Sequence, residues 1–448
     1  MAGDGVASPS ASTAARANPA ALGKARAPHL SFSYLHATGA FRQIPDVWWD
    51  TNRDGAVNSA DSPLNVNTGM DNVDGFMLSM SKPIGKHIGI GLVGYLPVGR
   101  LLRLKTFEPA IPTYYQLDNH LQRYTLAVGA GVSLPKGLAI GAGIDLIATA
   151  DFTMLTTIDA AFTQTDAKDF NANIDADVHE LNLDVRPDAI AILGVTWDLV
   201  SLSDELEGIS LGARYSGSGG LAIDADIDIQ ANINAQDIGK LDPFVFAALL
   251  DAGITLPDHY IPSTWAFGFR YSKPSVFSFQ ANAKWVDWRP MSISVAEIDN
   301  IDVNAPLADL DSDATSDLTL EFKPVWQINA SGEVSLALFT PINDTLSPTI
   351  RFGIGLDPAP LVAQGDTTAL LDGDTMIMAT GIGIQLPQDL TGWNSDIQLD
   401  IAYQRRTIGS GALARETDTP IPGFPVEGSA IPIGGAINAL NVGFSFAY

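Results

Sequence analysis

The stretch Leu440–Tyr448, LNVGFSFAY, alternates without a break. Leu440, Val442, Phe444, Phe446 and Tyr448 fall on one face, and Asn441, Gly443, Ser445 and Ala447 on the other. A β-strand has a side-chain period of two, so this segment reads as a strand with one apolar face and one small or polar face. A soluble sandwich would bury the apolar face against a second sheet. A membrane barrel turns it to lipid and keeps small or polar residues in the lumen.

The same division recurs far from the C-terminus. Leu138, Ile140, Ala142, Ile144 and Leu146 alternate with Ala139, Gly141, Gly143 and Asp145. Trp265, Phe267, Phe269 and Tyr271 alternate with Thr264, Ala266, Gly268 and Arg270. Ile350, Phe352, Ile354 and Leu356 alternate with Arg351, Gly353, Gly355 and Asp357. Glycine gathers on the second face, as a curved wall or an inward plug with little room requires. Trp197, Tyr215, Trp285, Trp326 and Tyr403 sit near segment ends, where a barrel carries its interfacial aromatics.

Segments of this kind number about fourteen, an even count as bacterial barrels prefer. They fall near 28–40, 72–84, 87–100, 121–134, 138–152, 181–198, 208–222, 261–272, 276–295, 318–338, 347–358, 374–386, 395–408 and 436–448. Short connections (Ile84–Lys86, Pro135–Gly137, Tyr271–Ser275) alternate with long ones (41–71, 153–180, 223–260, 296–317, 409–435). Short turns at one end and long loops at the other mark the periplasmic and extracellular sides of a membrane barrel. The expected fold is all-β: a transmembrane antiparallel barrel over 28–448, with residues 1–27 as an N-terminal hatch that plugs the lumen.

Composition narrows the function. The 448 residues are 46% hydrophobic and 17% charged, enough to build a large core. No run reaches the roughly 20 apolar residues of a membrane helix, which leaves strands as the means of crossing. The net charge of −26, from 51 acidic and 25 basic residues, is the wrong sign for a nucleic-acid partner. The acids concentrate in 166–188, 224–237 and 299–317, as hydrated loops do. There is no cysteine, which suits export through an oxidising compartment. Met1–Ala17 lacks the basic start and apolar stretch of a secretory signal, so the sequence reads as a mature or trimmed chain.

At three places the residues resemble the FadL outer-membrane transport family, also called the toluene and fatty-acid porin family. Ala14–Leu22, AARANPAAL, is similar to the Asn-Pro-Ala segment of that family's plug. Ile261–Trp288, IPSTWAFGFRYSKPSVFSFQANAKWVDW, is similar to its mid-barrel hairpin. The sequence given closes on an aromatic residue, Tyr448. The resemblance implies fourteen strands, a kinked third strand that opens a side window, and an N-terminal hatch gated at Asn18, Pro19 and Ala20 that lies beside that kink near Gly94–Gly99. Here the third segment reads IGIGLVGYLPVG over Ile88–Gly99. The alternation of residue types holds to Leu92 and then breaks at Val93, Tyr95 and Leu96. Gly94, Pro97 and Gly99 supply a local cause for a kink, because Pro cannot donate to the ladder and Gly weakens it. The other reading is a strand that ends at Tyr95.

The resemblance also implies basic lumen residues for a carboxylate ligand. Parity nominates Arg123, Arg186, Arg214, Arg270, Lys284, Lys323, Arg351 and Arg406, with Arg270 and Lys284 singled out. Acids such as Asp184, Asp188 and Glu321 could instead neutralise them. In the 223–260 connection, the run Phe244–Leu250, FVFAALL, is too densely apolar for a solvated loop. A short helix there would place Phe244, Phe246, Leu249 and Leu250 at the barrel mouth as a ligand entry site.

The first long connection carries one further motif. Asp50–Asp61, DTNRDGAVNSAD, matches the twelve-residue calcium loop. Asp50, Asn52, Asp54, Asn58 and Asp61 supply side-chain oxygens and Ala56 a carbonyl, around the turn glycine Gly55. With Asp61 last, the loop resembles those of dockerin modules. The alternative is an Asp/Asn/Gly-rich surface turn. DSDATSD at Asp311–Asp317 and the pair Asp372 and Asp374 are weaker cation candidates.

No phosphate loop, His/Cys cluster or nucleophile elbow is visible, so no catalytic residues are nominated. The expected function is passive uptake of small hydrophobic molecules across the outer membrane of a Gram-negative bacterium, by a monomer surrounded by lipid and lipopolysaccharide. Structural Ca²⁺ is its one expected cofactor. The alternative is a calcium-dependent surface interaction protein anchored by a plugged barrel.

Overall fold

The computed structural model describes residues 5–43, 47–49, 58–60, 62–63, 69–98, 102–103, 113–114, 120–121, 124–166, 169–219, 225–236, 255–257, 260–273, 276–291, 293–295, 321–336, 347–362, 370–386, 395–413, 425–427 and 431–447. Fourteen strands form the wall. In chain order they are β1 His29–Phe41, β2 Gly69–Ile84, β3 Ile88–Val98, β4 Thr125–Ser133, β5 Leu138–Asp166, β6 Asp169–Asp198 and β7 Ile209–Ser216. There follow β8 Ser263–Lys273, β9 Phe277–Asp287, β10 Val325–Ser335, β11 Ser347–Asp357, β12 Thr375–Leu386, β13 Asp396–Leu413 and β14 Ile431–Ala447. Each pairs antiparallel with its sequence neighbours, and β14 closes on β1 with Phe444 opposite Phe32. Closure gives every strand of the wall two neighbours, which is what a β protein needs inside lipid.

The wall has two chemically distinct faces. Outside, Phe267, Phe269, Phe352, Ile382, Ile401 and Phe444 are all exposed. The apolar face of the C-terminal stretch is therefore not packed on a second sheet. Tyr215, Trp265, Trp285 and Trp326 stand in one row across β7–β10, each opposite the next. Along β8, six residues separate Trp265 from Tyr271, about 20 Å at 3.3 Å per residue. With the end rings added, that fits an apolar band roughly 25 Å tall between aromatic girdles. The chain is a transmembrane β-barrel.

Several expected boundaries move. β5 and β6 run on past the wall and pair to Asp166 opposite Asp169, so most of the expected loop 153–180 is a long hairpin. Ala225–Gln236, expected within a loop, lies parallel to β5 from Phe152 to Thr163. Both segments read as loops because their polar positions are dense in Asp and Asn, although Phe170, Ala172, Ile174 and Ala176, and likewise Ile227, Ile229 and Ile233, share one face by parity. Expected strand 318–338 begins only at Val325, so Lys323 is an exposed loop residue and not a wall residue. The expected break in β3 is one of residue type and not of facing. Gly89, Gly91, Val93 and Pro97 are buried while Ile88, Ile90, Leu96 and Val98 are exposed, and the register with β2 is unbroken.

Candidate functional site

Inside the wall lies the chain that precedes β1. Residues 5–28 form a short helix, Ala14–Ala17, then a 3₁₀ turn, Pro19–Lys24. Asn18 starts that turn by accepting a hydrogen bond from Ala20 N, and Pro19 suits the first helical position because it has no N–H to lose. Asn18 is fully buried, and its Nδ2 donates to Val6 O at 2.8 Å, Val195 O at 3.1 Å and Ala213 O at 3.3 Å. One side-chain amide thus ties the segment to itself and to two wall strands, β6 and β7. Each such buried group left unpaired would cost about 1–3 kcal/mol.

The glycine face of the wall is shaped to this segment. A Cβ on Gly194 would lie 2.0 Å from Asn18 Oδ1, and one on Gly141 would lie 2.3 Å from Ala20 N. On Gly89 it would meet Leu22 O at 2.0 Å, and on Gly212 Val6 O at 2.4 Å. The inner glycines of β3, β5 and β7 are therefore set by close approach of backbone to backbone, and Gly194 of β6 by the Asn18 side chain. Ala14, Ala15 and Leu22 bury against Val93 of β3 and Ala127 of β4. Polar ties surround that contact. Arg16 Nε sits 3.0 Å from the buried Asp145 Oδ2, and Lys24 Nζ sits 3.0 Å from Asp198 Oδ2. Val6 N donates to Asn282 Oδ1 at 3.1 Å. Asp145 was readable as the lone acid on a glycine face, but its partner lies 129 positions away in sequence and no local pattern names it.

The segment meets the third strand lower than the resemblance implied. Leu22 lies against Gly89 and Gly91, while Asn18 and Pro19 sit against Gly194 and Gly141. The expected meeting place near Gly94–Gly99 lies higher on β3, and Gly99 falls outside the described residues.

The basic lumen candidates mostly have partners. Arg270 Nη1 donates to Ser8 Oγ at 2.9 Å, so it anchors the inner segment. Arg351 is paired with Glu333 at 2.5 Å and with Asp400. Arg406 Nη2 lies 3.2 Å from Asp357 Oδ2, and Gln327 also donates to Asp357. These are ion networks within the wall, though built on other acids than those expected. Lys284 is half-buried opposite Ala266 and Gln327. Arg214 is half-buried on β7. Arg123 and the side chain of Arg186 lie outside the described residues.

The wall itself has an irregularity at β3. On one side β3 stays paired with β2 as far as Val98 opposite Asp74. On the other, pairing with β4 stops at Tyr95 opposite Thr125. Among the described residues, Leu96, Pro97 and Val98 have a strand partner on one side only. Proline is tolerated at such an edge because the ladder asks nothing of its missing N–H there. A cavity of about 490 Å³ opens at this place. It is lined by outward-facing Leu78, Leu96 and Leu126 and also by inward-facing Tyr95, Thr125 and Ile147. The hollow thus sits at a gap in the β3–β4 pairing. Gly94 borders it with room to spare, since a Cβ there would find its first neighbour, Leu126 Cδ1, at 3.7 Å.

At the long-loop end, Met291, Phe322 and Leu361 bury together, with Tyr260 and Trp288 against them. Asp374 Oδ1 accepts from Ala359 N and Asp372 Oδ1 from Gly373 N, each at 2.9 Å. Burial raises the Asp372 pKa to about 6, opposed by the backbone N–H groups of Leu361 and Gly373. These two carboxylates therefore hold a loop through backbone amides. The entry residues Phe244, Phe246, Leu249 and Leu250 lie outside the described residues, as does 311–317. So do Asp50, Asn52, Asp54, Ala56 and Asp61, while Asn58 Oδ1 accepts a turn bond from Ala60 N at 2.8 Å.

No protein-family model and no curated protein matches the sequence. Among solved structures, a Pseudomonas aeruginosa FadL homologue aligns over 97% of this chain and 93% of its own, at 15% identity and a TM-score of 0.58. The Ralstonia pickettii toluene transporter TbuX covers 100% of this chain and 96% of its own at 14% identity, with a TM-score of 0.44. The Pseudomonas putida toluene transporter TodX covers 99% and 95% at 12% identity, with a TM-score of 0.45. At these identities the likeness concerns fold, and the first alignment is the one that carries it: this chain has the closed-barrel fold of the Pseudomonas aeruginosa FadL homologue.

Proposed function

We propose that this barrel is a FadL-type channel of a Gram-negative outer membrane that takes up small hydrophobic molecules and releases them sideways through the gap beside β3. The observation that carries this reading is the 490 Å³ cavity where the β3–β4 ladder ends, because residues of both faces of the wall line it and most of them are apolar. An apolar solute gains about 25 cal/mol per Å² when it leaves water for such surroundings. A path straight down the axis would cross the packed segment at Asn18–Leu22 and then open into water. A path through the wall ends in lipid, where such a solute is most stable. The Ralstonia pickettii and Pseudomonas putida structures are named for toluene, a solute of this class. The chain works as a monomer, with lipopolysaccharide around its long loops. The apolar run at Phe244–Leu250 is proposed as the entry site. The test is uptake with the gap closed by a reversible disulfide between Leu96→Cys and Tyr124→Cys. Loss of uptake on oxidation supports the path, and unchanged uptake refutes it.

The loop Asp50–Asp61 is proposed to bind one Ca²⁺ through Asp50, Asn52, Asp54, Asn58, Asp61 and the Ala56 carbonyl at about 2.3–2.6 Å. It leads from Trp48 and Trp49, whose strand pairs with Ser62–Pro63 on one side and with Pro425–Glu427 on the other. Calcium there would fix a loop next to these pairings at the long-loop end. Calorimetry should show one calcium binding event that Asp54→Ala abolishes. No heat, or heat that survives the substitution, reduces the loop to a turn.

A further inference from the structure

We propose that the outer wall holds one resident lipid below the gap: an anionic phospholipid of the leaflet at the short-turn end. Its acyl chain would lie in a groove over β3, β4 and β5, with its head at Lys82. The groove has a cause in the sequence. Ala130 of β4 and Ala142 of β5 are directly opposite each other on the outer face. The pairs on either side of them are large, Val128 with Ile144 and Val132 with Ile140. Two adjacent side chains that stop at Cβ leave a hollow in a wall of branched residues. Its floor is the backbone of Gly91, Gly129 and Gly143, and its volume is about 630 Å³.

Three observations select the occupant. The groove is lined by apolar side chains such as Met80, Ile90 and Ile144, so it takes a hydrocarbon. Its one charged lining residue is Lys82, two positions from the end of β2 at the short-turn side. Among the described residues no carboxylate forms an ion pair with Lys82. A lysine at that height carries its stem along apolar surface and its ammonium to the lipid headgroups, where a phosphate with net negative charge is its natural counter-ion. Third, Leu92 lines both this groove and the gap cavity, so the two adjoin along β3. From Ile90, opposite Lys82, to Leu96 at the gap is six residues, about 20 Å of strand. A chain anchored at Lys82 and running up the wall therefore ends beside the gap, where it would receive an apolar molecule leaving the barrel. The assignment rests on the transmembrane reading of the outer face and not on transport.

The test uses the full chain folded into vesicles of equal phosphatidylglycerol and phosphatidylethanolamine, extracted into mild detergent, and weighed intact by native mass spectrometry. The wild type should retain one phosphatidylglycerol in preference. Lys82→Gln should lower that preference about fivefold, the effect of roughly 1 kcal/mol per cation at a membrane surface. Ala142→Phe fills the hollow and should abolish retention of either lipid. A heat-modifiable gel shift shows that each variant is folded. Retention equal in wild type and Ala142→Phe overturns the site, as does indifference to headgroup, or retention of a free fatty acid in place of phospholipid. A chain that stays dispersed without detergent would instead overturn the membrane reading itself.

Discussion

Expelling the inner segment should turn a poorly conducting barrel into a wide pore. Gly141→Val places a Cβ 2.3 Å from Ala20 N and from Pro19 C, so the side chain and the seated segment cannot coexist. Deleting residues 5–24 removes the same obstruction outright. The strand ladders do not depend on the segment, since the wall strands pair with one another around the closed barrel. In planar bilayers the wild type should show low ion conductance, because Asn18, Pro19, Ala20 and Leu22 are packed without exposure. The deletion should raise conductance on the order of tenfold or more, since a barrel of this strand number encloses more space than its own side chains fill. Gly141→Val should follow it part of the way. Equal conductance in the wild type and the deletion would mean that the segment is not the seal.

A second large effect is expected at Gly94. Its backbone is extended and its surroundings are open, with Leu126 Cδ1, Thr125 O and Leu78 O at 3.7, 3.8 and 3.9 Å from an added Cβ. Gly94→Phe is therefore accommodated at the backbone, and its ring falls into the 490 Å³ cavity. Blocking an apolar path with an apolar ring removes room without adding charge, so folding and lipid contact are unaffected. Uptake of a labelled apolar solute by cells producing the variant should drop about tenfold, the consequence of roughly 1.4 kcal/mol at the narrowest point. Gly94→Ala, which adds only the Cβ, should take up solute at close to the wild-type rate. A full rate through Gly94→Phe would place the path elsewhere.

Much of the wall was legible in the sequence because a barrel strand advertises both faces at once. Leu440–Tyr448 and Trp265–Tyr271 needed only the period of two, and Leu440, Val442, Phe444, Trp265, Phe267, Phe269 and Tyr271 are exposed in the structure. The aromatic row was visible as Tyr215, Trp285 and Trp326 near segment ends, though its alignment with Trp265 depends on register between strands far apart in sequence. Parity placed Arg351 and Arg406 on the inner face, yet their partners Glu333, Asp400 and Asp357 come from neighbouring strands that only the closed ladder brings together. It failed for Lys323 because the strand starts two residues later.

The gap was the least legible feature. Pro97 and Gly94 signalled that something happens in β3, but the sequence cannot say that β2 keeps its pairing while β4 gives it up. That asymmetry depends on where β4 begins, at Thr125, and Thr125 differs little from many residues that start strands. The glycines of the inner face were visible as a pattern. Their reason, the approach of Pro19, Ala20 and Leu22 to within van der Waals contact of wall backbone, lies more than sixty positions away in the chain, where no local pattern reaches.

The most direct measurement of the lateral path is uptake by the double variant Leu96→Cys, Tyr124→Cys. These are the next positions in register after Tyr95 and Thr125, so a disulfide there continues the ladder across the gap. The chain has no cysteine of its own, and the bond is made and broken at one place. Crosslink yield is read from gel mobility before and after reductant. The oxidised protein should lose uptake of a labelled apolar solute, regain it on reduction, and show the same low ion conductance in both states. Uptake by the fully crosslinked protein at the rate of the reduced one would contradict the lateral path.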